Sequence, residues 1–171
     1  MLVASLFLTA HEILLTVVQD RIKGFLCTES TIKNGEIVYK YSKLFETEVL
    51  NRDIPFLDKK NRGYHLWYSS LLWLADNEVI TPDEVHELEA VRCQRNDIAH
   101  KLKSLLLDDS ISINTGLLIK LKQLVQKIER WWVINVEIPI NPEFDGQTID
   151  EENIKSGNMI LLDYLIEIVL S

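Results

Sequence analysis

Thr81-Pro82-Asp83-Glu84-Val85-His86-Glu87-Leu88-Glu89-Ala90-Val91-Arg92-Cys93-Gln94-Arg95-Asn96-Asp97-Ile98-Ala99-His100-Lys101-Leu102-Lys103-Ser104-Leu105-Leu106-Leu107 is the stretch that decides the fold. It opens with a capping hydroxyl, a proline at the first helical position and a glutamate at the third, the pattern of a reciprocal N-terminal cap. Val85, Leu88, Val91, Ile98, Leu102 and Leu105 then recur at mostly helical spacings, which predicts one helix over 82–107 with a single apolar stripe. Between Val91 and Ile98 the stripe calls for an apolar residue, and the chain places Arg95 there. A buried arginine is costly unless paired. Arg95 is therefore expected at the rim of the stripe, with a partner.

Upstream of this helix, Tyr64 to Leu74 is dense in Trp, Tyr and Leu and reads as a buried helix ended by Asp76-Asn77. Pro55 and the polar run 58–63 mark a loop before it. Lys33-Asn34-Gly35 is a turn signal, and the segment from Ile37 to Val49 leans helical, with strand character possible in Ile37-Val38-Tyr39. Leu6, Ala10, Ile13, Leu14 and Val17 predict a first helix over 2–23, with Gly24 as its stop.

Downstream, Asp108-Asp109-Ser110 closes the long helix, and Asn114 to Val133 reads as an amphipathic helix with Leu117, Leu118, Leu121, Leu124, Val125 and Ile128 inside. Trp131-Trp132 lies at its end. Val133 to Ile140 alternates like a strand, limited by Pro139 and Pro142 to an edge or an extended arm. Thr148 to Asn153 is loop or one helical turn, and Ser156 to Leu170 a last helix that packs on the bundle. The expected fold is all-α, an antiparallel four- to five-helix bundle over 1–135 with a C-terminal extension, 136–171, packing on the same domain.

The chain has 171 residues, enough to bury one core. Its net charge is -8, from 18 Lys and Arg against 26 Asp and Glu. Affinity for phosphates comes from neutralising them, so an acidic chain does not coat nucleic acid and needs a local basic patch to act on it. This disfavours a DNA-binding regulator more than an enzyme acting on RNA. Cys27 and Cys93 fit no metal spacing and read as two buried thiols in a reducing compartment. The apolar run 1–10 lacks a basic lead-in and is broken by His11 and Glu12 short of the ~20 residues a bilayer span needs. A soluble, cytoplasmic protein with no membrane partner is expected.

His86-Glu87 is not followed by a second histidine one helical turn on, and His11, His65 and His86 are isolated from one another, so each reads as structural or surface. Asp145, Asp150, Glu151 and Glu152 lack the spacing of a calcium loop. The six scattered glycines supply no phosphate loop. No metal and no cofactor is expected.

The hexapeptide Arg95-Asn96-Asp97-Ile98-Ala99-His100 carries the remaining chemistry. At about 100° per residue, Arg95 and His100 lie about 140° apart and flank a sector holding Asn96 and Ala99, with Arg92 and Lys103 close by. That sector offers permanent positive charge, one group titrating near neutrality and one neutral amide. Arginine binds phosphate oxygens bidentately and histidine moves a proton, so the set suits a phosphodiester. The plainer alternative is a surface ion pair of Arg95 with Asp97 and a histidine on the helix surface.

The hexapeptide resembles the R-x4-6-H signature of the HEPN family (higher eukaryotes and prokaryotes nucleotide-binding domains), in which a polar residue typically follows the arginine, as Asn96 does here. Its place on a late helix of a helical bundle is similar as well; the tail beyond Trp132 lies outside the resemblance. The resemblance implies a metal-independent endoribonuclease, a toxin or antiphage effector, working as a homodimer with two motifs facing each other and held in check by an antitoxin or regulatory protein. Carried onto this chain, His100 is the general base or acid, Arg95 stabilises charge on the phosphorane, and Asn96 orients the phosphate or the histidine, while Arg92, Asp97 and Lys103 line the substrate. Family members silenced by nucleotidylation carry a tyrosine two residues after the histidine. Leu102 stands there in this chain and offers no hydroxyl. The other reading the resemblance leaves open is a non-catalytic module that binds a protein or nucleotide, with Trp131-Trp132 as an interface feature.

Overall fold

The structure, a computed structural model, describes residues 2–27, 29–57, 60–107 and 113–170. Helix accounts for 73% of the chain and strand for 6%, so the protein is mainly α. Two compact units are present: residues Met1–Leu14 with His86–Ser171, and Leu15–Val85.

In the first unit, α1 (Leu2–Leu15) leads with an apolar face, and Leu6, Phe7, Ala10 and Leu14 are buried. From α5 (Pro82–Leu107), Leu88, Val91 and Ile98 are buried at the spacing the sequence predicts. Asn114 caps α6 (Thr115–Trp132) by accepting from the Leu117 N–H at 3.3 Å, leaving Leu118, Leu121, Leu124, Val125 and Ile128 inside. Trp132 is buried and meets Trp131 edge-on at 4.9 Å, so one ring of this pair serves the core. The final helix, α8 (Gly157–Leu170), packs on α6. Asp163 of α8 ties the two together, taking Lys122 Nζ at 2.7 Å and Gln126 Nε2 at 3.0 Å. Buried Glu129 accepts from Asn158 Nδ2 across the same contact.

Residues 133–140 are helical rather than extended. A wide turn over Val133–Glu137 continues α6 into α7 (Ile138–Ile140), and the chain leaves the helix at Asn141, before Pro142. An isolated strand would leave its backbone groups unpaired, and no strand lies beside this segment among the described residues; the helix satisfies those groups internally. The alternating Ile134, Val136, Ile138 and Ile140 are half-buried or exposed, so alternation reflected no sheet face. Glu151–Asn153 forms one short helical turn, as expected for that loop.

In the second unit the first helix runs past the predicted stop. The turn Thr16–Asp20 joins α1 to α2 (Arg21–Leu26), and Gly24 lies inside α2. Leu2–Leu26 is long and apolar enough, by length and composition, to cross a membrane, while Val17, Val18 and Ile22 are buried in the protein. A hairpin follows, β1 (Glu29–Lys33) paired antiparallel with β2 (Glu36–Lys40). The sequence leans helical over 37–49 with strand character possible at 37–39, and the strand is what forms over 36–40, because Asn34 (φ 53°) and Gly35 (φ 84°) take the left-handed conformations of a two-residue hairpin turn that sets β2 beside β1. Helical character resumes in α3 (Lys43–Phe45) and the turn Glu46–Leu50.

Helix α4 (Arg62–Asp76) buries Trp67, Leu71, Trp73 and Leu74, the core role expected of this aromatic stretch. It ends with Val79 N–H on Leu74 O at 2.9 Å and Glu78 N–H on Ala75 O at 3.0 Å, a Schellman closure with Glu78 at φ 59° where glycine is usual. The cap of α5 is reciprocal: Thr81 N–H donates to Glu84 Oε2 at 2.7 Å and Glu84 N–H donates to Thr81 Oγ1 at 3.2 Å. The Asp108-Asp109-Ser110 stop lies outside the described residues.

Candidate functional site

The hexapeptide lies in the first unit, on the middle turns of α5. Ile98 is buried and pins this part of the helix to the core. Arg95 is half-buried, with its side chain 34% exposed, which puts it at the rim as the broken stripe requires. Its Nη2 donates to Glu12 Oε1 of α1 at 3.2 Å and its Nη1 to Asn96 Oδ1 at 3.4 Å. The partner is thus Glu12, 83 residues away in sequence, rather than the neighbouring Asp97, which is exposed.

The Asn96 amide oxygen faces the guanidinium, so this side chain orients Arg95 in the single subunit. Arg92 is held bidentately by Glu89, at 3.2 and 3.1 Å, along its own helix. His100 is exposed, one and a half turns beyond Arg95, and Ala99 beside it is also exposed. Along the axis five residues are about 7.5 Å. The Lys103 side chain lies outside the described residues. The fold therefore gathers Arg95 and Asn96 with Glu12, and leaves His100 facing outward.

His11 joins the cluster and was not visible as a member of it from sequence. It is buried beside the arginines, at 3% exposure. Burial first, and then the charge of Arg95 and Arg92 against the opposing pull of Glu12, hold its pKa down at about 4. His11 is therefore a neutral imidazole at pH 7, able to accept or donate one hydrogen bond but not to add positive charge. The available signal was its place in the apolar row Phe7, His11, Leu14, Val18, and next to it Glu12, the one charged residue of α1.

The remaining histidines take the roles expected of isolated residues. His65 is buried, with Nε2 at 3.0 Å from the Arg52 carbonyl and Nδ1 at 3.3 Å from Ser69 Oγ; a carbonyl only accepts, so Nε2 carries the hydrogen. His86 is exposed. No group of three or more metal-ligating side chains occurs among the described residues. Cys27 is buried, but Cys93 is exposed, contrary to the expectation of two buried thiols, because it falls on the outer face of α5.

The second unit holds a separate cavity of about 600 Å³, bounded by residues that include Tyr41, Leu50, Arg52, Arg62 and His65. Arg52 is paired with Asp76 at 2.7 Å. The hexapeptide takes no part in its lining.

The chain matches no protein-family model, no curated protein and no solved structure.

Proposed function

We propose that the protein is a metal-independent endoribonuclease of HEPN type, a toxin or antiphage effector of the cytoplasm, with a site completed by a second copy of the chain. The observation that carries this reading is the pre-set Arg95: Asn96 and Glu12 hold its guanidinium at the rim of α5 while His100 is exposed on the same helix. One subunit keeps Arg95 and His100 on different sides of the helix. Two copies related by a twofold axis bring the Arg95 flank of one to the His100 flank of the other.

In such a site His100 takes the proton of the ribose 2′-hydroxyl, or gives one to the leaving 5′-oxygen. The 2′-oxygen attacks the adjacent phosphorus, the bond to the 5′-oxygen breaks, and a 2′,3′-cyclic phosphate remains. Arg95 stabilises the negative charge that builds on the phosphorane oxygens, the contribution that is usually largest in sites of this kind. Arg92 lies one turn before Arg95 on the same helix, where Glu89 offsets its charge. Whether the strand belongs to tRNA or mRNA is open to the same experiment. RNA of both kinds is incubated with chelator; cleavage to cyclic-phosphate ends by the wild type, and its loss by at least a hundredfold in His100→Ala, is expected for a general acid or base. Intact RNA with the wild type, or equal cleavage by the variant, rejects the proposal.

The second reading is a HEPN-like module that binds a protein or nucleotide without cleaving. The Glu12 carboxylate favours it, because it already occupies Arg95 and repels an incoming phosphate. An antitoxin or regulatory protein is the partner expected under the ribonuclease reading.

A further inference from the structure

The hairpin of the second unit carries an interaction surface that the proposed ribonuclease site does not use. Among the described residues, β1 and β2 pair only with each other, so each has an open edge. A two-stranded ribbon with free edges is marginal by itself and is a template for another strand. The side chains here are also uncovered: Ile32 is 77% exposed, Ile37 61% and Val38 42%. Tyr39 is the exception, lying over α2 with its hydroxyl 3.5 Å from where a Cβ on Gly24 would sit.

The sequence of β2, Glu36-Ile37-Val38-Tyr39-Lys40, is complementary to itself when reversed. Antiparallel pairing about a twofold axis through Val38 sets Glu36 opposite Lys40 of a second copy, Ile37 opposite its Tyr39, and Val38 opposite its Val38. The existing ladder sets Glu29 opposite Lys40, joined at 2.8 Å, and Lys33 opposite Glu36. The four-stranded row would then read Glu29, Lys40, Glu36, Lys33, with charge alternating at every step. Opposite charges and aromatic–β-branched pairs directly across a ladder are the stabilising kinds.

The backbone agrees with this register. The turn at Asn34-Gly35 makes Lys33 and Glu36 a hydrogen-bonded pair, and alternation gives the same status to Thr31 with Val38 and to Glu29 with Lys40. The N–H and C=O groups of Ile37 and Tyr39 therefore point away from β1. Those are the two residues that the charge register places opposite each other, so charge, side-chain type and hydrogen-bonding parity select one alignment.

We infer that β2 is a self-association edge, on which a second copy of this chain adds antiparallel to make a continuous four-stranded sheet centred on Val38. This contact is independent of the α5 site. If both operate, each copy carries two different twofold contacts, which build a closed tetramer or an open chain rather than a simple dimer.

The test is site-directed disulfide trapping in the full chain with Cys93→Ser. Residues facing each other in a non-hydrogen-bonded antiparallel pair have Cα atoms about 4.5 Å apart, within disulfide reach. Val38→Cys is expected to give a covalent dimer under mild oxidation at least about tenfold faster than Thr31→Cys, the residue that would sit on the axis if β1 were the edge. Ile37→Pro removes an outward N–H that the hairpin does not use, once in each copy. It is expected to weaken self-association in sedimentation by about tenfold or more. Equal or faster trapping at Thr31, or no preference for Val38 over Thr31 while the chain self-associates, overturns the inference. So does a wild-type chain that sediments as a monomer when concentrated.

Discussion

Arg95 of α5 and Glu12 of α1 form an ion pair at 3.2 Å, joining two helices of the same unit that lie far apart in sequence. The glutamate side chain is 61% exposed and the arginine 34%, so water screens the pair and its contribution to stability is small, about 0–1 kcal/mol. Its larger effect is on charge at the candidate site. Glu12→Gln keeps the shape and removes the negative charge. The variant is expected to unfold within about 1 kcal/mol of the wild type and to bind a short single-stranded RNA severalfold more tightly at low salt, measured by fluorescence anisotropy. Weaker binding by the variant would show that the carboxylate positions Arg95 rather than occupying it.

His11 makes the fold sensitive to acid. Its pKa is about 4 in the folded protein against 6.5 for an exposed imidazole, so between those values the unfolded chain binds the extra proton. Stability from this residue is complete above about pH 6.5 and is lost as pH falls toward 4, a difference on the order of 3 kcal/mol. Urea unfolding at a series of pH values should show this slope, and His11→Leu should flatten it. An unchanged slope would place the acid sensitivity elsewhere.

Glu78 holds a left-handed conformation at the end of α4 that carries a steric cost for any residue with a Cβ. Glu78→Gly should raise the unfolding free energy by about 0.5–1 kcal/mol. Thermal and urea denaturation both report it. A loss of stability would mean that the Glu78 side chain makes a contact worth more than the backbone relief.

Asp163 fastens α8 to α6 through Lys122 and Gln126. Hydrogen bonding and charge from Lys122 hold its carboxyl below the usual aspartate range. The stability it supplies is present above the unfolded-state pKa and is lost as pH falls through the lower, folded value. Asp163→Asn should cost about 1 kcal/mol and increase amide hydrogen exchange in 157–170 ahead of 115–132. Uniform exchange across both helices would argue that α8 is fixed by Met159 and Leu162 alone.

Local rules carried much of the fold. The Thr81/Glu84 cap follows from side chains that satisfy nearby backbone groups, and such interactions are written in a few consecutive residues. The helices at 115–132 and 157–170 follow from apolar patterning alone. The row Val85, Leu88, Val91, Ile98 likewise fixed the inward face of α5, and the break at Arg95 required a partner at its rim. The 133–140 segment is helical where its alternation suggests a strand, and 36–40 takes the strand of the two states its sequence leaves open, because alternation and mixed propensity do not say whether a neighbouring strand exists to pair with.

Which residue partners Arg95 was beyond the sequence. Asp97 stands closer along the chain, but on a helix it points elsewhere, and only the packing of α1 against α5 brings Glu12 and His11 to the guanidinium. The neutral state of His11 was equally hidden, because it depends on the water that folding removes and on the charge of Arg95, far away in the chain. That an arginine, an amide and a histidine share one helix is legible in six consecutive residues; which carboxylate restrains the arginine depends on the fold, because an ion pair is set by distance in space and not along the chain.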